Sequence, residues 1–193
     1  PKWDSGNLLD APGVTFNEFA FNGAGAFEFS IVGSFNVKDF YMYQTGYESQ
    51  LRGFVADPNA GKIYVSRNIY LHGGGGFMVN GWGSSWNYAN IVVNSASDQY
   101  IYSNLDLNGN KDRTKVGRLP NLIVDKPSGT LHIKGDLGFT SGMNIIRGGL
   151  KFYENEEVAA GDKQTIEFSS AWNTLYIKNT SGNELVLPNL EFS

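Results

Sequence analysis

The amino-acid sequence predicts an all-β fold built as a solenoid of about five units, and three observations lead to this prediction. Aromatic residues make up 14% of the 193-residue chain, which favours strands, while 24 glycines and 20 asparagines favour tight turns. Short runs alternate between apolar and polar residues, as half-buried strands do. Similar sets of these runs then recur along the chain.

The repeated unit is clearest over residues 122–139, where an apolar run, a turn and two alternating runs follow one another. An ungapped shift of 68 residues places 54–71 under it, and a shift of 31 residues places 91–107 under it after a one-residue slip. A forward shift of 44 residues brings in 166–178, and a weaker copy spans 19–37. One unit cannot bury its apolar face alone, so we expect the copies to stack as a right-handed parallel β-helix.

The alternation also predicts which side chains point into the core. The expected inward residues are Ile63, Val65, Ile69, Leu71, Tyr100, Tyr102, Leu131, Ile133, Leu137, Leu175 and Ile177. A β-sandwich of short alternating strands would produce a similar pattern and is the alternative fold. The ungapped 68-residue match favours the solenoid.

Three regions are expected. Residues 1–18 are rich in turn-forming residues and would cap or connect, 19–155 would hold the solenoid repeats, and 156–193 would form the last repeat or start a second β module. The chain opens without Met or a signal-peptide pattern and stops on a strand-like run, which predicts a processed chain or a fragment of a longer protein.

The composition makes several classes of partner and of chemistry unexpected. The net charge is −4 and no basic patch is present, so nucleic acid is not an expected partner. No apolar run approaches the ~18 residues that cross a bilayer, so membrane insertion is not expected. The absence of cysteine removes thiol catalysis and thiolate metal sites. It also fits a bacterial surface protein that folds without disulfides.

Two passages carry a family resemblance. Residues 121–137, with NLIV followed by SGTLHIKGDL, resemble the repeated NLTI…SGTLTLSGDLTV pattern of large secreted surface proteins of Bacteroidota, often exported by type IX secretion. Leu105–Asn110 (LDLNGN) is similar to a step of the same proteins. The resemblance covers 54–142 and implies a β-helical, adhesin-like or autotransporter-like passenger. Residues 175–187 resemble a hairpin of the immunoglobulin-like modules that follow such passengers, which implies an immunoglobulin-like start at the C-terminus.

Catalytic chemistry is not expected. His72 and His132 have no Ser and Asp partners at the spacing of a triad, and the repeat alignment places His132 on the solvent side. Acidic and amide residues recur at two repeat positions, which are occupied by Asp57, Asn94 and Asp125, and by Asn68 and Asp136. Repetition of this kind predicts turn chemistry rather than paired catalytic acids. We therefore expect a protein that is not an enzyme and holds no cofactor.

The segment 106–112, which follows a predicted strand, is a weak candidate for a calcium site. Oxygen-bearing side chains alternate there at Asp106, Asn108, Asn110 and Asp112. An EF-hand loop would carry Gly at its sixth position and Glu at its twelfth, whereas here Gly is fourth and Gly117 is twelfth. Lys111 and Arg113 add positive charge, and the LDLNGN strand–turn step explains the same residues without a metal.

The most distinctive segment is 72–90, which carries Phe77, Trp82, Trp86 and Tyr88 among glycines and asparagines. Aromatic side chains on such a loop would suit stacking on sugar rings or an interface hot spot. The alternative is that Trp82 and Trp86 fold back over the solenoid flank. A second aromatic group at Tyr41, Tyr43 and Tyr47 has the same two interpretations.

These observations predict a non-catalytic segment of an extracellular, cell-surface adhesin or structural repeat protein, with glycans or another surface protein as partners. One alternative is a carbohydrate-binding module that uses the loop aromatics. Another is a polysaccharide-active β-helix enzyme or a phage fibre segment.

Overall fold

The structure is a computed structural model, and it describes residues 8–23, 28–44, 50–53, 61–73, 89–152, 164–168, 176–187 and 189–192. These residues contain no helix. The strands are β1 (Leu8–Asp10), β2 (Thr15–Gly23), β3 (Glu28–Val32), β4 (Ser34–Gln44), β5 (Gln50–Gly53), β6 (Lys62–Val65), β7 (Ile69–His72), β8 (Asn90–Val93), β9 (Gln99–Leu105), β10 (Gly117–Lys134), β11 (Leu137–Phe152), β12 (Thr165–Phe168), β13 (Tyr176–Asn179) and β14 (Asn189–Phe192).

The described strands pair with one another in parallel throughout. The prediction of an all-β fold is therefore confirmed, and its main sheet is parallel. The sandwich alternative would instead show antiparallel sheets. Among the described segments, none is a helix with the length and apolar character needed to cross a membrane.

Two sheets are formed. The smaller has the order β1–β3–β5, and the larger contains the remaining strands. Six strands of the larger sheet, β4, β6, β8, β10, β9 and β7, are linked by their pairings into a closed ring, as in a parallel barrel.

The longest strands pair through separate parts, which produces rows of short paired segments. The first row contains 34–37, 62–65, 90–93, 121–124, 142–145 and 176–179. The second row contains 40–43, 69–72, 99–102, 131–134 and 149–152. The third row contains 117–119, 137–139, 166–168 and 190–192. β4 belongs to both the first and the second row, and β10 and β11 each belong to all three rows.

The core is made by the inward side chains of these rows. Ile63, Val65, Ile69, Leu71, Leu131, Ile133 and Leu137 are all fully buried, as the alternation predicted. Ile177 is half-buried against the core, and Leu175 lies outside the described residues. Burial of each such side chain contributes about 1.5–3 kcal/mol to folding.

The prediction for Tyr100 and Tyr102 was wrong, because both are half-buried on the outer surface. The 31-residue shift would set Tyr100 beside Leu131. The structure pairs Leu131 with Gln99 and His132 with Tyr100. A slip of one residue moves every side chain of a strand to its other face, so an alignment wrong by one residue inverts the strand.

The 68-residue match is also not the structural register. It would set Ile63 beside Leu131, whereas Ile63 pairs with Ile91, which in turn pairs with Leu122. Paired residues lie between 19 positions apart, as for Leu131 and Leu150, and 34 positions apart, as for Gly142 and Tyr176. The repeat is therefore shorter and less regular than the sequence similarity indicated.

The C-terminal strands extend the same sheet. β13 pairs with β11 and β14 pairs with β12, both in parallel. Residues 180–187 form no strand, so the hairpin implied by the resemblance over 175–187 has no counterpart in the described part of that segment. The described strands here continue the first and third rows and do not form an immunoglobulin-like start.

A buried lysine fixes the turn between β8 and β9. Lys126 is completely buried, and its Nζ donates hydrogen bonds to Ser95 O (2.8 Å), Ser97 O (2.7 Å) and Gln99 Oε1 (2.9 Å). The three N–H groups of an ammonium match three acceptors. Burial lowers the pKa of Lys126 to about 8, so the side chain stays charged at neutral pH.

Gln99 extends this contact to the neighbouring strand. Its Nε2 donates to Val65 O and to Arg67 O, both at 2.8 Å. Its Oε1 accepts from Ser95 N (3.0 Å) as well as from Lys126. Every hydrogen-bonding group of this buried amide therefore has a partner, which is what makes a polar residue tolerable in the core.

Asp and Asn side chains link adjacent strands at the corners. The backbone N–H of Asn68 donates to Asp39 Oδ1, and that of Tyr100 donates to Asn68 Oδ1, each at 3.1 Å. Likewise Thr165 N donates to Asp136 Oδ1 at 2.7 Å. Asn68 and Asp136 thus bind backbone amides, in agreement with the turn role predicted for them, although they lie at different corners.

We predict that Lys126→Met destabilises the protein by about 2–4 kcal/mol, because Ser95 O and Ser97 O lose the ammonium donor and the buried Gln99 Oε1 keeps only Ser95 N. Chemical denaturation at pH 7 measures this change. Lys178→Met is the matched control, since Lys178 is exposed on β13. Equal stability of the two variants would contradict the role given to Lys126.

Candidate binding face

The outer surface of the second row carries seven aromatic side chains, which we name the aromatic face. Its members are Tyr41, Tyr43, Tyr70, His72, Tyr100, Tyr102 and His132. They alternate along the strands with buried residues such as Met42, Leu71 and Ile101. The period-2 alternation of a strand therefore places the apolar residues in the core and the rings outside.

The rings stack because in-register pairing brings like residues side by side. Tyr41 pairs with Tyr70, and Tyr70 pairs with Tyr102. The ring centroids are 4.8 Å apart for the first pair and 5.1 Å for the second, with interplanar angles of 11° and 9°. These distances are close to the spacing of adjacent strands, about 4.7–4.9 Å. Each contact contributes roughly 0.5–1.5 kcal/mol beyond its burial.

Two shorter stacks flank this column. Tyr43 stacks on His72 at 4.6 Å and 17°, and Tyr100 stacks on His132 at 4.9 Å and 16°. His72 is buried and the other members are half-buried. Because neighbouring rings cover one another's faces, the surface offers ring edges and hydroxyl groups in a regular row.

The two ends of the face differ in charge. Lys134 Nζ lies 5.6 Å from the ring centroid of Tyr100 and 5.9 Å from that of Tyr102, which is cation–π distance. At the other end, burial raises the pKa of Tyr41, and the carboxylates of Asp39 and Glu18 raise it further. Lys134 thus lies at one end of the face, and Asp39, which forms an ion pair with Arg67, lies at the other.

His132 lies on the outer surface, as predicted, but it is largely covered there. Its side chain is 13% exposed and its Nε2 lies 3.4 Å from Asp98 Oδ2. The backbone N–H of Thr130 donates to Asp98 Oδ1 at 2.8 Å. This amide, followed by His132, lowers the pKa of Asp98.

A small cavity lies where the aromatic face ends. It has a volume of about 20 Å³ and is lined by Ser103, Asn104, Lys111, Arg113, Gly135, Asp136 and Gln164. Ser103 and Asn104 follow Tyr102 along β9, and Gly135 and Asp136 follow Lys134. We name this feature the corner cavity.

The predicted calcium residues form a turn that uses its own oxygens. Asp106 Oδ1 accepts hydrogen bonds from the backbone N–H groups of Asn108 and Asn110, each at 2.8 Å, and Oδ2 accepts one from Asn110 Nδ2 at 3.1 Å. The bonds from Asn110 are the main cause of the lowered pKa of Asp106. Asp112 similarly accepts from Thr114, which lowers its pKa.

These bonds favour the strand–turn interpretation of Asp106 to Asp112. In the part of the chain that the structure describes, no group of three or more His, Asp or Glu side chains could hold a metal ion. The calcium site stays a prediction. His72 joins this turn to the aromatic face, since its Nδ1 lies 3.0 Å from Asp106 O.

Only some of the aromatic residues predicted to bind a ligand lie within the described part of the structure. Phe77, Trp82, Trp86 and Tyr88 lie outside the described residues, as does Tyr47. Tyr41 and Tyr43 are described and belong to the aromatic face. The other five members were not identified as one surface, because Tyr100 and Tyr102 had been assigned to the core.

No protein-family model, curated protein or solved structure matches this chain.

We predict that Asp106→Asn lowers the melting temperature at pH 7, because the carboxylate holds the turn with charge-assisted hydrogen bonds. The pKa of Asp106 is lowered in the folded state, so its contribution is complete above the unfolded value, about 3.9. That contribution disappears as the pH falls through the folded value. The difference in melting temperature between Asp106→Asn and wild type should therefore disappear in acid.

Thermal unfolding followed from pH 7 to pH 2 tests this expectation. Asp10→Asn, which alters an exposed carboxylate of β1, serves as the control. A gap between Asp106→Asn and wild type that stays constant across this range would refute the assignment.

Proposed function

We propose that the chain is a non-catalytic segment of a right-handed parallel β-solenoid that serves a structural or adhesive role in an extracellular surface protein. In this proposal each passage of the chain through the rows is one level of the solenoid. The closed ring of six strands arises because β4 and β10 each contribute to both the first and the second row. Right-handed crossovers between parallel strands are strongly preferred, which supports the handedness.

One observation carries the proposal. Val37 pairs with Val65, Val65 with Val93, Val93 with Val124 and Val124 with Ile145. All five side chains are buried. Residues of nearly one shape therefore stack over five consecutive levels, which is the packing of a repeat that buries its core only against its neighbours.

The described carboxylates support a non-catalytic role. Asp39 forms an ion pair with Arg67 at 2.6 Å and also accepts a backbone N–H. Asp106, Asp112 and Asp136 each accept backbone amides as well. Paired acids of a polysaccharide-cleaving enzyme would need to face a substrate cleft, whereas these acids hold turns together. This use of carboxylates favours a scaffold over an enzyme.

The aromatic face favours carbohydrate binding as a second candidate function. Its rows of ring edges and hydroxyls repeat at the spacing of the strands, and a linear pyranose chain has a similar repeat. His72 ends β7 on this face, and the sequence that follows carries Phe77, Trp82, Trp86 and Tyr88. These residues would extend the face with rings suited to stacking on sugars.

Deletion of one complete level tests the solenoid. Removing residues 63–90 joins Lys62 to Ile91, and Ile91 then takes the place of Ile63, with which it pairs. Asp39 could then accept the N–H of Tyr100 directly, as Asn68 does in the intact chain. We predict a folded β protein with cooperative unfolding.

The control for that deletion removes residues 63–89, which differs by one residue and inverts the strand that follows. It should be much less stable by denaturation and show weaker β-sheet circular dichroism. A closed barrel would lose part of β6 and all of β7, so loss of folding in both deletions would argue against the solenoid.

A glycan array tests the second candidate with four proteins. We expect the wild type to bind specific glycans, and both the Trp82→Ala/Trp86→Ala double variant and Tyr70→Ala to lose most of that signal. Tyr64→Ala is the control, because Tyr64 lies on the first row. Unchanged binding by Tyr70→Ala would exclude the aromatic face, and absence of binding by folded wild type would exclude the candidate.

A further inference from the structure

Three tyrosines of the aromatic face lie one on each of three neighbouring strands. Tyr41 belongs to β4, Tyr70 to β7 and Tyr102 to β9, and strand pairing sets Tyr41 beside Tyr70 and Tyr70 beside Tyr102. Side chains at paired positions point to the same face of a sheet, so the three phenol rings leave the sheet in the same direction. A bond between two neighbouring rings would join residues that are 29 or 32 positions apart in the sequence.

Neighbouring rings of this column are in close and nearly parallel contact. The ring centroids of Tyr41 and Tyr70 are 4.8 Å apart at an interplanar angle of 11°, and those of Tyr70 and Tyr102 are 5.1 Å apart at 9°. In such a stack the ortho carbons, which flank the hydroxyl group, lie opposite the neighbouring phenol. All three rings are half-buried on the outer surface, so their neighbours hold them in place while part of each ring meets solvent.

A fourth tyrosine continues the series. The ring centroid of Tyr100 lies 5.9 Å from that of Tyr102, at an interplanar angle of 22°. Tyr41, Tyr70, Tyr102 and Tyr100 therefore form one series of rings in which no step exceeds 5.9 Å. An unpaired electron passes readily between phenol rings this close, because the rings are chemically alike. Two radicals that form on separate rings of the series therefore come to lie on adjacent ones.

This arrangement is suited to the oxidative coupling of tyrosines. Loss of one electron and of the hydroxyl proton turns a phenol into a phenoxyl radical, whose unpaired electron is shared with the ortho carbons. Two such radicals on adjacent rings form a carbon–carbon bond between their ortho carbons. The hydrogens of these two carbons then move to the two oxygens, which restores both phenols as dityrosine. The two electrons and two protons that were lost reduce one hydrogen peroxide to two waters.

We propose that Tyr41, Tyr70 and Tyr102 form an oxidative cross-linking site, at which hydrogen peroxide acting through a peroxidase joins Tyr70 to Tyr41 or to Tyr102 as dityrosine. Tyr70 is the central ring of the column and takes part in either bond. Each bond ties two neighbouring strands and closes a long loop of the chain, which restricts the unfolded state and so stabilises the fold. The inference rests on the ring geometry and is independent of whether the aromatic face binds glycans.

Treatment of the intact chain with a haem peroxidase and hydrogen peroxide tests the proposal, at a protein concentration low enough to keep the chains apart. Dityrosine is detected by its fluorescence. Mass spectrometry of the digested monomer locates the bond, because two linked peptides together lose two hydrogens. We expect peptides joined through Tyr70 in the monomer. The same treatment in denaturant should give little of this product, because unfolding separates the rings.

Removal of one hydroxyl group tests the part assigned to the central ring. Tyr70→Phe keeps the ring and its stacking but lacks the phenol, so its treated monomer should lose most of the dityrosine formed by wild type. Tyr64→Phe is the matched control, because Tyr64 lies on the first row, where it pairs with Asn36 and Val92. It should form as much dityrosine as wild type. Melting temperatures before treatment confirm that both variants fold.

The stability of the treated protein provides a second readout. Cross-linked wild-type monomer should unfold at a higher denaturant concentration than untreated wild type, because the new bond constrains the unfolded chain. Treated Tyr70→Phe should unfold at the same concentration as untreated Tyr70→Phe. Ring stacking alone would not produce this difference, since the stack is present before and after treatment.

The proposal is overturned if the treated, folded wild-type monomer contains no dityrosine, or if Tyr70→Phe forms as much of it as wild type. Dityrosine found only between separate chains would also overturn it. So would a product confined to Tyr100 and Tyr102, because these residues lie on the same strand and their bond would tie no two strands together.

Discussion

The structure depends on in-register stacking of inward side chains between parallel strands. Val65 and Val93 illustrate the constraint, because each must pair with a residue of similar shape on both neighbouring strands. Parallel strands buried in this way carry mostly apolar residues at their inward positions. The turns between strands can then vary in length, because only the register of the short paired segments is fixed.

Polar residues enter this core only where every hydrogen bond can be made. Lys126 and Gln99 donate to four backbone carbonyl oxygens, and Lys126 also donates to Gln99 Oε1, at the turn before β9. Asp39 and Asn68 perform a related task by accepting the first amides of the next level. The register that these corners fix also aligns the outer tyrosines, so the aromatic face is a direct consequence of the core packing. Within the described residues, Gln164 Oε1, His72 Nε2 and Asn144 Oδ1 depart from this pattern, because these buried atoms have no hydrogen-bond partner.

The alternation of apolar and polar residues was sufficient to predict an all-β fold and most inward positions, including Ile63 and Ile133. It could not fix the register, because Gln99-Tyr100-Ile101-Tyr102 alternates equally well in either phase. The inward residue is Gln99, a polar side chain whose place in the core depends on Lys126, 27 positions further along the chain. No local pattern contains that information. The same limitation hid the aromatic face, which exists only once Tyr41, Tyr70 and Tyr102 are brought into register.

The corner cavity was still less accessible from the sequence. Asn104 and Gln164 are separated by 60 positions, and neither belongs to a recognisable motif. Asp136 had been assigned to turn chemistry, which it performs through Oδ1. Lys111 and Arg113, from the turn after β9, complete the lining. In the sequence their positive charge indicated only that calcium binding was unfavourable. Such a cavity is formed when strand pairing brings residues from distant parts of the sequence together, so the spacing of residues within one repeat does not reveal it.

The central claim is the valine stack, and methyl nuclear Overhauser effects in valine-labelled protein measure it most directly. The account predicts cross-peaks between Val37 and Val65, between Val65 and Val93, and between Val93 and Val124, with none between Val65 and Val124. Absence of the consecutive contacts, or direct contacts that skip a level, would contradict it.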